Sequence, residues 1–211
     1  MYKTCLLILF LCAAGWAKCE SNIPGMTWRE SYILYQELNI ADAVSYPAFQ
    51  EGLAGYYKYN ADGKGMLALI DFTKPSTEKR FCVIDLENKR VLFESHVSHG
   101  RKSGDNYAVS FSNQPGSNKS SLGFYLTGGT YNGKNGYSLL LDGLERGLND
   151  KARERAIVIH GAAYADPTVL NGQQRLGRSL GCPALPPSIS KEVIDTIKGG
   201  TLLYIYGKNE A

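Results

Sequence analysis

Beyond its N-terminal nineteen residues the chain has no apolar run long enough to cross a bilayer, since a spanning helix needs about 20 such residues in succession. It also lacks a basic block. The formal net charge of +3 is spread along 211 residues, and without clustered lysine or arginine nothing points to nucleic acid. No internal repeat, low-complexity tract or clear linker divides it. One domain of this size can bury a proper core. Histidine is scarce, with three in all. No His-Glu-x-x-His run occurs, so the helical zinc-hydrolase arrangement is missing. A zinc set drawn from His96-x-x-His99, His160 and Cys182 is the alternative. It has no supporting motif, and no metal or organic cofactor is expected.

What the first residues do contain is Lys3, an apolar run from Cys5 to Ala14, and small residues at Gly15 and Ala17. This is the pattern of a secretory signal peptide. Cleavage after Ala17 is expected, which removes residues 1–17 and exports the remainder to the periplasm or cell envelope. Lys18 stands where lipidation of Cys19 needs a small residue. Of five cysteines, Cys5 and Cys12 leave with the signal. Cys19, Cys82 and Cys182 remain, an odd set that flags a free thiol in an exported chain. Cys82 sits inside Phe81-Cys82-Val83-Ile84-Asp85-Leu86 and reads as a small core hydrophobe. Cys182 has no apolar run around it. Whether Cys19 and Cys82 pair stays open, because reach depends on folded geometry.

The periodicity predicts helices over Trp28–Leu38 and Tyr46–Tyr59, the second with Pro47 in its first turn. Residues 18–65 therefore read as a helical N-terminal segment. From Met66 the period changes to that of short strands: Met66–Phe72, Phe81–Leu86, Val91–Ser98, Tyr107–Phe111, Gly123–Thr127, Tyr137–Leu141, Ala156–His160 and Thr201–Tyr206. Gly, Asn, Ser and Pro clusters separate them. A helix over Ser188–Lys198 precedes the last strand. The fold class is mainly β, a sandwich or barrel over residues 66–207.

Three constellations carry candidate chemistry. In Arg155-Ala156-Ile157-Val158-Ile159-His160-Gly161 an apolar strand delivers a histidine to its own end. In Gly177-Arg178-Ser179-Leu180-Gly181-Cys182-Pro183-Ala184 small residues let backbone approach a ligand, and the amides of Gly181 and Cys182 can aim at a developing oxyanion. A cysteine of ordinary pKa is only a few per cent thiolate at neutral pH, so Cys182 needs a base such as His160. The third, Gly128-Gly129-Thr130-Tyr131-Asn132-Gly133-Lys134-Asn135, has the Gly-x4-Gly-Lys spacing of a phosphate loop. Asn135 replaces the Ser/Thr that contacts magnesium and strand follows, so it reads as a hairpin turn.

His160-Gly161 followed by Ser179-Leu180-Gly181-Cys182 resembles the signature of the YkuD-type L,D-transpeptidases: a His, a variable stretch, then Ser/Thr-His-Gly-Cys, an apolar residue and Asn or Arg. Val97-Ser98-His99-Gly100, Phe111-Ser112-Asn113 and Ser120-Ser121-Leu122-Gly123-Phe124-Tyr125 extend the similarity, as a divergent branch with a Ser-x-Gly-Cys-Pro-Ala motif. The resemblance implies an L,D-transpeptidase-like β-sandwich. It implies Cys182 as nucleophile and His160 as base, with the carbonyl of Gly161 orienting the imidazole and Gly181 and Ser179 shaping the oxyanion loop. Its substrates would be peptidoglycan stem peptides.

Leu180 and Ala184 depart from that signature, and the stretch between His160 and Ser179 is longer than usual. Within it, Arg178 and Arg175 are candidates for holding a substrate carboxylate through bidentate guanidinium contacts. His99 is a candidate to line the cleft, and His96 reads as strand surface. Three outcomes stay open at this level: transpeptidation, hydrolysis of the same bond as an L,D-carboxypeptidase, and a non-catalytic cell-wall binding module. Loss of Cys182 or His160 would signal the last.

Overall fold

Both N-terminal helices form over the expected residues. A computed structural model of the protein describes residues 26–59 and 64–209; the signal segment and Cys19 lie outside the described residues. Helix α1 spans Trp28–Leu38. Its start is a capping box: Thr27 Oγ1 accepts from Glu30 N–H at 3.3 Å, and Glu30 Oε2 accepts from Thr27 N–H at 2.6 Å. Asn39 ends it in the left-handed conformation, at φ 51°. Helix α2 spans Tyr46–Tyr59 and buries Phe49 and Leu53 completely. It lies close on the sheet, since a Cβ added to Gly55 would stand 2.0 Å from the Phe124 ring.

Eight strands follow: β1 Met66–Asp71, β2 Phe81–Asp85, β3 Arg90–Ser95, β4 Gly123–Gly133, β5 Gly136–Gly143, β6 Val158–Gly161, β7 Ala184–Leu185 and β8 Leu202–Tyr206, with helix α3 at Pro187–Ile197. They make one continuous sheet in the order β3-β2-β1-β8-β4-β5-β6-β7. The β1–β8 and β6–β7 pairs are parallel and the rest antiparallel.

Strands β2 and β8 are buried at every position, which requires cover on both faces. Leu67, Leu69, Cys82, Ile84, Leu202 and Tyr204 face α1 and α2. The alternate residues Ala68, Ile70, Phe81, Val83, Leu203 and Ile205 join a larger cluster with Tyr125, Leu139, Val158, Leu185 and the inner face of α3. Opposite ends of one sheet thus share one core, which produces sandwich-like layering. Each large apolar side chain in these layers contributes about 1.5–3 kcal/mol by leaving water. The chain is mainly β with two N-terminal helices and one C-terminal helix, as its periodicity implies.

Three local departures bear on the site. The strand expected over Tyr107–Phe111 is a loop. Its one β-contact is an isolated bridge between Ala108 and Gly104; Val109 and Ser110 both donate to Ser103 O, and Phe111 donates to Asn209 Oδ1, so no ladder forms. Strand β6 starts at Val158, not Ala156, because Ala156 takes a left-handed φ of 52°. Strand β7 has two residues, too few for any period to show. The Gly128–Asn135 stretch is the outer half of the β4–β5 hairpin, where Gly133 pairs with Gly136.

Candidate active site

Strand β6 carries His160 to the sheet's end, where it registers against Ser138 of β5 and Ala184 of β7. Cys182 lies two residues ahead of Ala184, so the parallel pairing draws its loop alongside β6. The Cys182 thiol donates to Ala156 O at 3.6 Å, and the Val158 N–H is placed to stabilise its thiolate. Sheet pairing therefore lays the Cys182 loop alongside the strand that carries His160, across a long loop in the chain.

His160 is 4% exposed. Its Nδ1 lies 3.0 Å from the carbonyl oxygen of Gly161. A carbonyl only accepts, so Nδ1 carries the proton and Nε2 keeps its lone pair. Burial lowers the imidazole pKa from its ordinary value, and the Gly161 bond opposes this in part. A neutral ring with one fixed nitrogen is what a general base requires.

Burial pushes the Cys182 thiol above its ordinary pKa, while the Val158 amide and the Arg155 guanidinium draw it back. The resting group is a thiol and needs a base before it can attack.

The loop that presents Cys182 is held from within. Ser179 Oγ donates to Cys182 O at 2.6 Å and accepts from Gly181 N–H at 3.0 Å. Gly181 takes φ 133°, a region open to glycine, and a Cβ there would stand 2.8 Å from Lys119 O. Ser120 Oγ donates to Gly181 O at 2.9 Å. This corrects one expectation: the Gly181 amide is turned inward to Ser179 and does not face an oxyanion. Ser179 and Gly181 shape the loop instead. On the far side, Ser98 N–H donates to Ala184 O and Ser179 N–H to His99 O.

The remaining candidates lie along this outer brace. His99 is 1% exposed, with Nδ1 2.8 Å from Arg80 Nη2 and Nε2 3.4 Å from Gly104 O. Arg80 is itself fully buried and also donates to Val97 O and Lys74 O. Both His99 nitrogens are engaged, so its ring ties β-brace to loop and offers nothing to a cleft. Arg175 bonds Asp105 at 2.5 Å and Leu176 O at 2.9 Å. Arg178 bonds Gly104 O at 2.8 Å and reaches Asp105 at 3.3 Å. The two arginines thus converge on one carboxylate. His96 faces Thr77 O at 3.2 Å. Among the described residues no three His, Cys, Asp or Glu side chains converge to hold a metal ion.

Two residues with electrostatic reach to Cys182 escaped the sequence reading. Arg155 acts on it from the turn before β6, and Tyr164 from the segment after β6. Burial and the neighbouring Cys182 push the Tyr164 hydroxyl up to about 12. The only sequence signal for Arg155 was a charge at the mouth of an apolar strand.

The chain is similar to several solved structures. One is the helical cell shape determining protein Pgp2 from Campylobacter jejuni, at 17% identity and TM-score 0.45, over 74% of this chain and 56% of that one. Another is an L,D-transpeptidase from Mycobacterium smegmatis, at 14% identity and TM-score 0.42, over 69% of this chain and 60% of that one. The match spans roughly half to six-tenths of those longer proteins. No curated protein sequence matches. The sequence model of the L,D-transpeptidase catalytic domain, however, matches residues 40–206, from the end of α1 through β8. With most of the described fold inside that match, the chain belongs to the YkuD-type L,D-transpeptidase catalytic-domain family.

Proposed function

We propose that this protein is an exported cysteine acyltransferase that acts on peptidoglycan stem peptides, with Cys182 as nucleophile and His160 as base. The observation that carries the reading is the Nδ1–Gly161 contact at 3.0 Å. It leaves a basic Nε2 on the strand that pairs beside the Cys182 loop, with a main-chain carbonyl in the orienting role that a carboxylate has in other triads.

The reaction proceeds in two halves. Sγ turns from Ala156 O, and its proton passes to His160 Nε2. The thiolate attacks the carbonyl carbon between the third stem residue and terminal D-alanine. The C–N bond then breaks, His160 returns the proton to the departing amine, and a thioester remains on Cys182. In the second half His160 takes a proton from an acceptor amine of a neighbouring stem. That amine attacks the thioester, a cross-link forms, and the cysteine is released. Water in place of the amine yields hydrolysis, so exclusion of water decides the product. The signal-like pattern of residues 1–17 supports the reading that this work is done outside the cytoplasm.

The test is incubation of mature protein and its Cys182→Ala variant with a tetrapeptide muropeptide, read by mass spectrometry. D-alanine loss with wild type alone supports the reading, and dimer against tripeptide separates transfer from hydrolysis. If neither protein changes the substrate or gains an acyl mass, the enzyme reading fails and a binding module remains.

A further inference from the structure

Both terminal nitrogens of the Arg155 guanidinium are engaged, yet no described residue gives it a counter-charge. Nη1 donates to Ser112 O at 2.7 Å and Ser121 Oγ at 3.0 Å; Nη2 donates to Lys119 O at 2.5 Å and Ser117 Oγ at 3.3 Å. All four acceptors are neutral. Among the described residues no carboxylate pairs with it, whereas nearby Arg153 is bound to Asp142 by both forks. Such an arrangement spends hydrogen bonds on fixing a cation while leaving its field intact.

That field is aimed. Arg155 Nη2 stands 3.4 Å from where a Cβ on Gly181 would sit, and Gly181 immediately precedes Cys182. The next residue, Ala156, takes a left-handed φ of 52° and turns its carbonyl to the thiol. A non-glycine residue held in that region persists only where its surroundings demand it. One strained dipeptide thus brings both a cation and a proton acceptor to the same sulfur.

We infer that Arg155 is a positioning residue for Cys182: a locked, unneutralised cation that stabilises the thiolate through space and clamps the 112–121 segment against the Gly181 turn. Its four terminal N–H groups are occupied by protein acceptors, so it acts through the loop and not by gripping substrate. The inference rests on Cys182 being the reactive thiol of the proposed function. Other titratable and charged groups lie on the surrounding elements. His160 stands on β6 and Tyr164 follows it. Lys119 turns its amine to Ser110 Oγ. Arg178, on the Cys182 loop, is occupied by Gly104 O and Asp105. Among the cations of the described residues, Arg155 is the one whose charge favours the Cys182 thiolate.

The test follows the pH dependence of Cys182 alkylation by iodoacetamide in the mature protein, with the modified peptide identified by mass so that other cysteines are counted apart. Arg155→Met is expected to raise the midpoint by about one pH unit, roughly a tenfold slower reaction below it. Arg155→Lys, which keeps the charge, is expected to recover at least half of that shift. Ser117→Asp puts a carboxylate in bonding reach of Nη2 and neutralises the cation in place. It too is expected to raise the midpoint, and it keeps the test open if Arg155→Met does not fold. Midpoints that stay put in these variants, with only the melting temperature lowered, would overturn the inference and leave Arg155 a loop clamp. Alkylation needs no muropeptide. An inactive wild type therefore sinks the proposed function while the thiol titration still reads out Arg155.

Discussion

Ser179 Oγ donates to the carbonyl oxygen of Cys182 at 2.6 Å while accepting from the amide of Gly181 at 3.0 Å. One hydroxyl closes the turn that aims the thiol, and it sits at 5% exposure where water cannot substitute. Ser179→Ala leaves a buried carbonyl and a buried amide without their partner, which costs about 1–3 kcal/mol. D-alanine release is expected to fall at least about tenfold in kcat, because a misplaced nucleophile loses near-attack geometry. Denaturant unfolding and steady-state kinetics on the variant check both; unchanged kcat would show that the turn is set elsewhere.

The His160 imidazole is held below its ordinary pKa by burial. A base works when deprotonated, so activity rises with pH through that group's pKa and persists to lower pH than an exposed histidine allows. The acid limb of kcat/KM is expected to have its midpoint below about 6.5. A pH–rate profile for D-alanine release decides it, and a midpoint above that value contradicts a buried neutral base.

His99 behaves differently, as a stability group. Burial, reinforced by the Arg80 guanidinium, lowers its pKa from 6.5 to about 3. Its folded-state pKa lies below the unfolded one, so the unfolded chain binds the proton first as pH falls. Stability is full above the unfolded pKa and is lost progressively from about 6.5 down toward 3, at about 1.4 kcal/mol per pH unit for one proton. In His99→Gln, urea midpoints measured across that window are expected to show a flatter pH dependence than wild type, and an identical slope would assign the acid sensitivity to other groups.

Arg175 and Arg178 both engage Asp105, whose side chain is 78% exposed. If this pair receives a substrate carboxylate, Asp105 occupies the position first as an internal competitor. Exposed ion pairs are worth up to about 1 kcal/mol. Asp105→Asn is therefore expected to lower KM by about two- to fivefold with kcat little changed, and Arg178→Ala to raise KM. A KM that moves in neither variant makes the arginines ties for the 100–108 loop and nothing more.

Much of this protein was readable in order along the chain. Trp28–Leu38 announced itself through a helical apolar stripe, a local signal. Met66–Phe72, Phe81–Leu86 and Thr201–Tyr206 showed as short apolar runs bounded by turn residues, because a strand buried on both faces needs nothing more, and the structure trims each by one residue. Cys182 and His160 stood out by chemistry: a thiol in a glycine-bearing loop and a histidine at a strand's end. Other features had no local signature. Strand β7 exists because Ala184 finds His160 across the sheet, and Tyr107–Phe111 is not a strand because it folds back on Ser103 and Gly104 with a single bridge and no extended partner. His99 looked like a cleft residue until Arg80, nineteen residues away in sequence, claimed its nitrogen. Gly181 looked like an oxyanion donor until Ser179 claimed its amide. Arg155 became meaningful only once four distant acceptors and the Cys182 loop were assembled around it. Local sequence determined the elements and the reactive atoms, since propensity and chemistry belong to individual residues. Tertiary structure decided which atoms are already satisfied and which remain free to react, since partners such as Arg80 for His99 and Lys119 O for Arg155 come from distant parts of the chain.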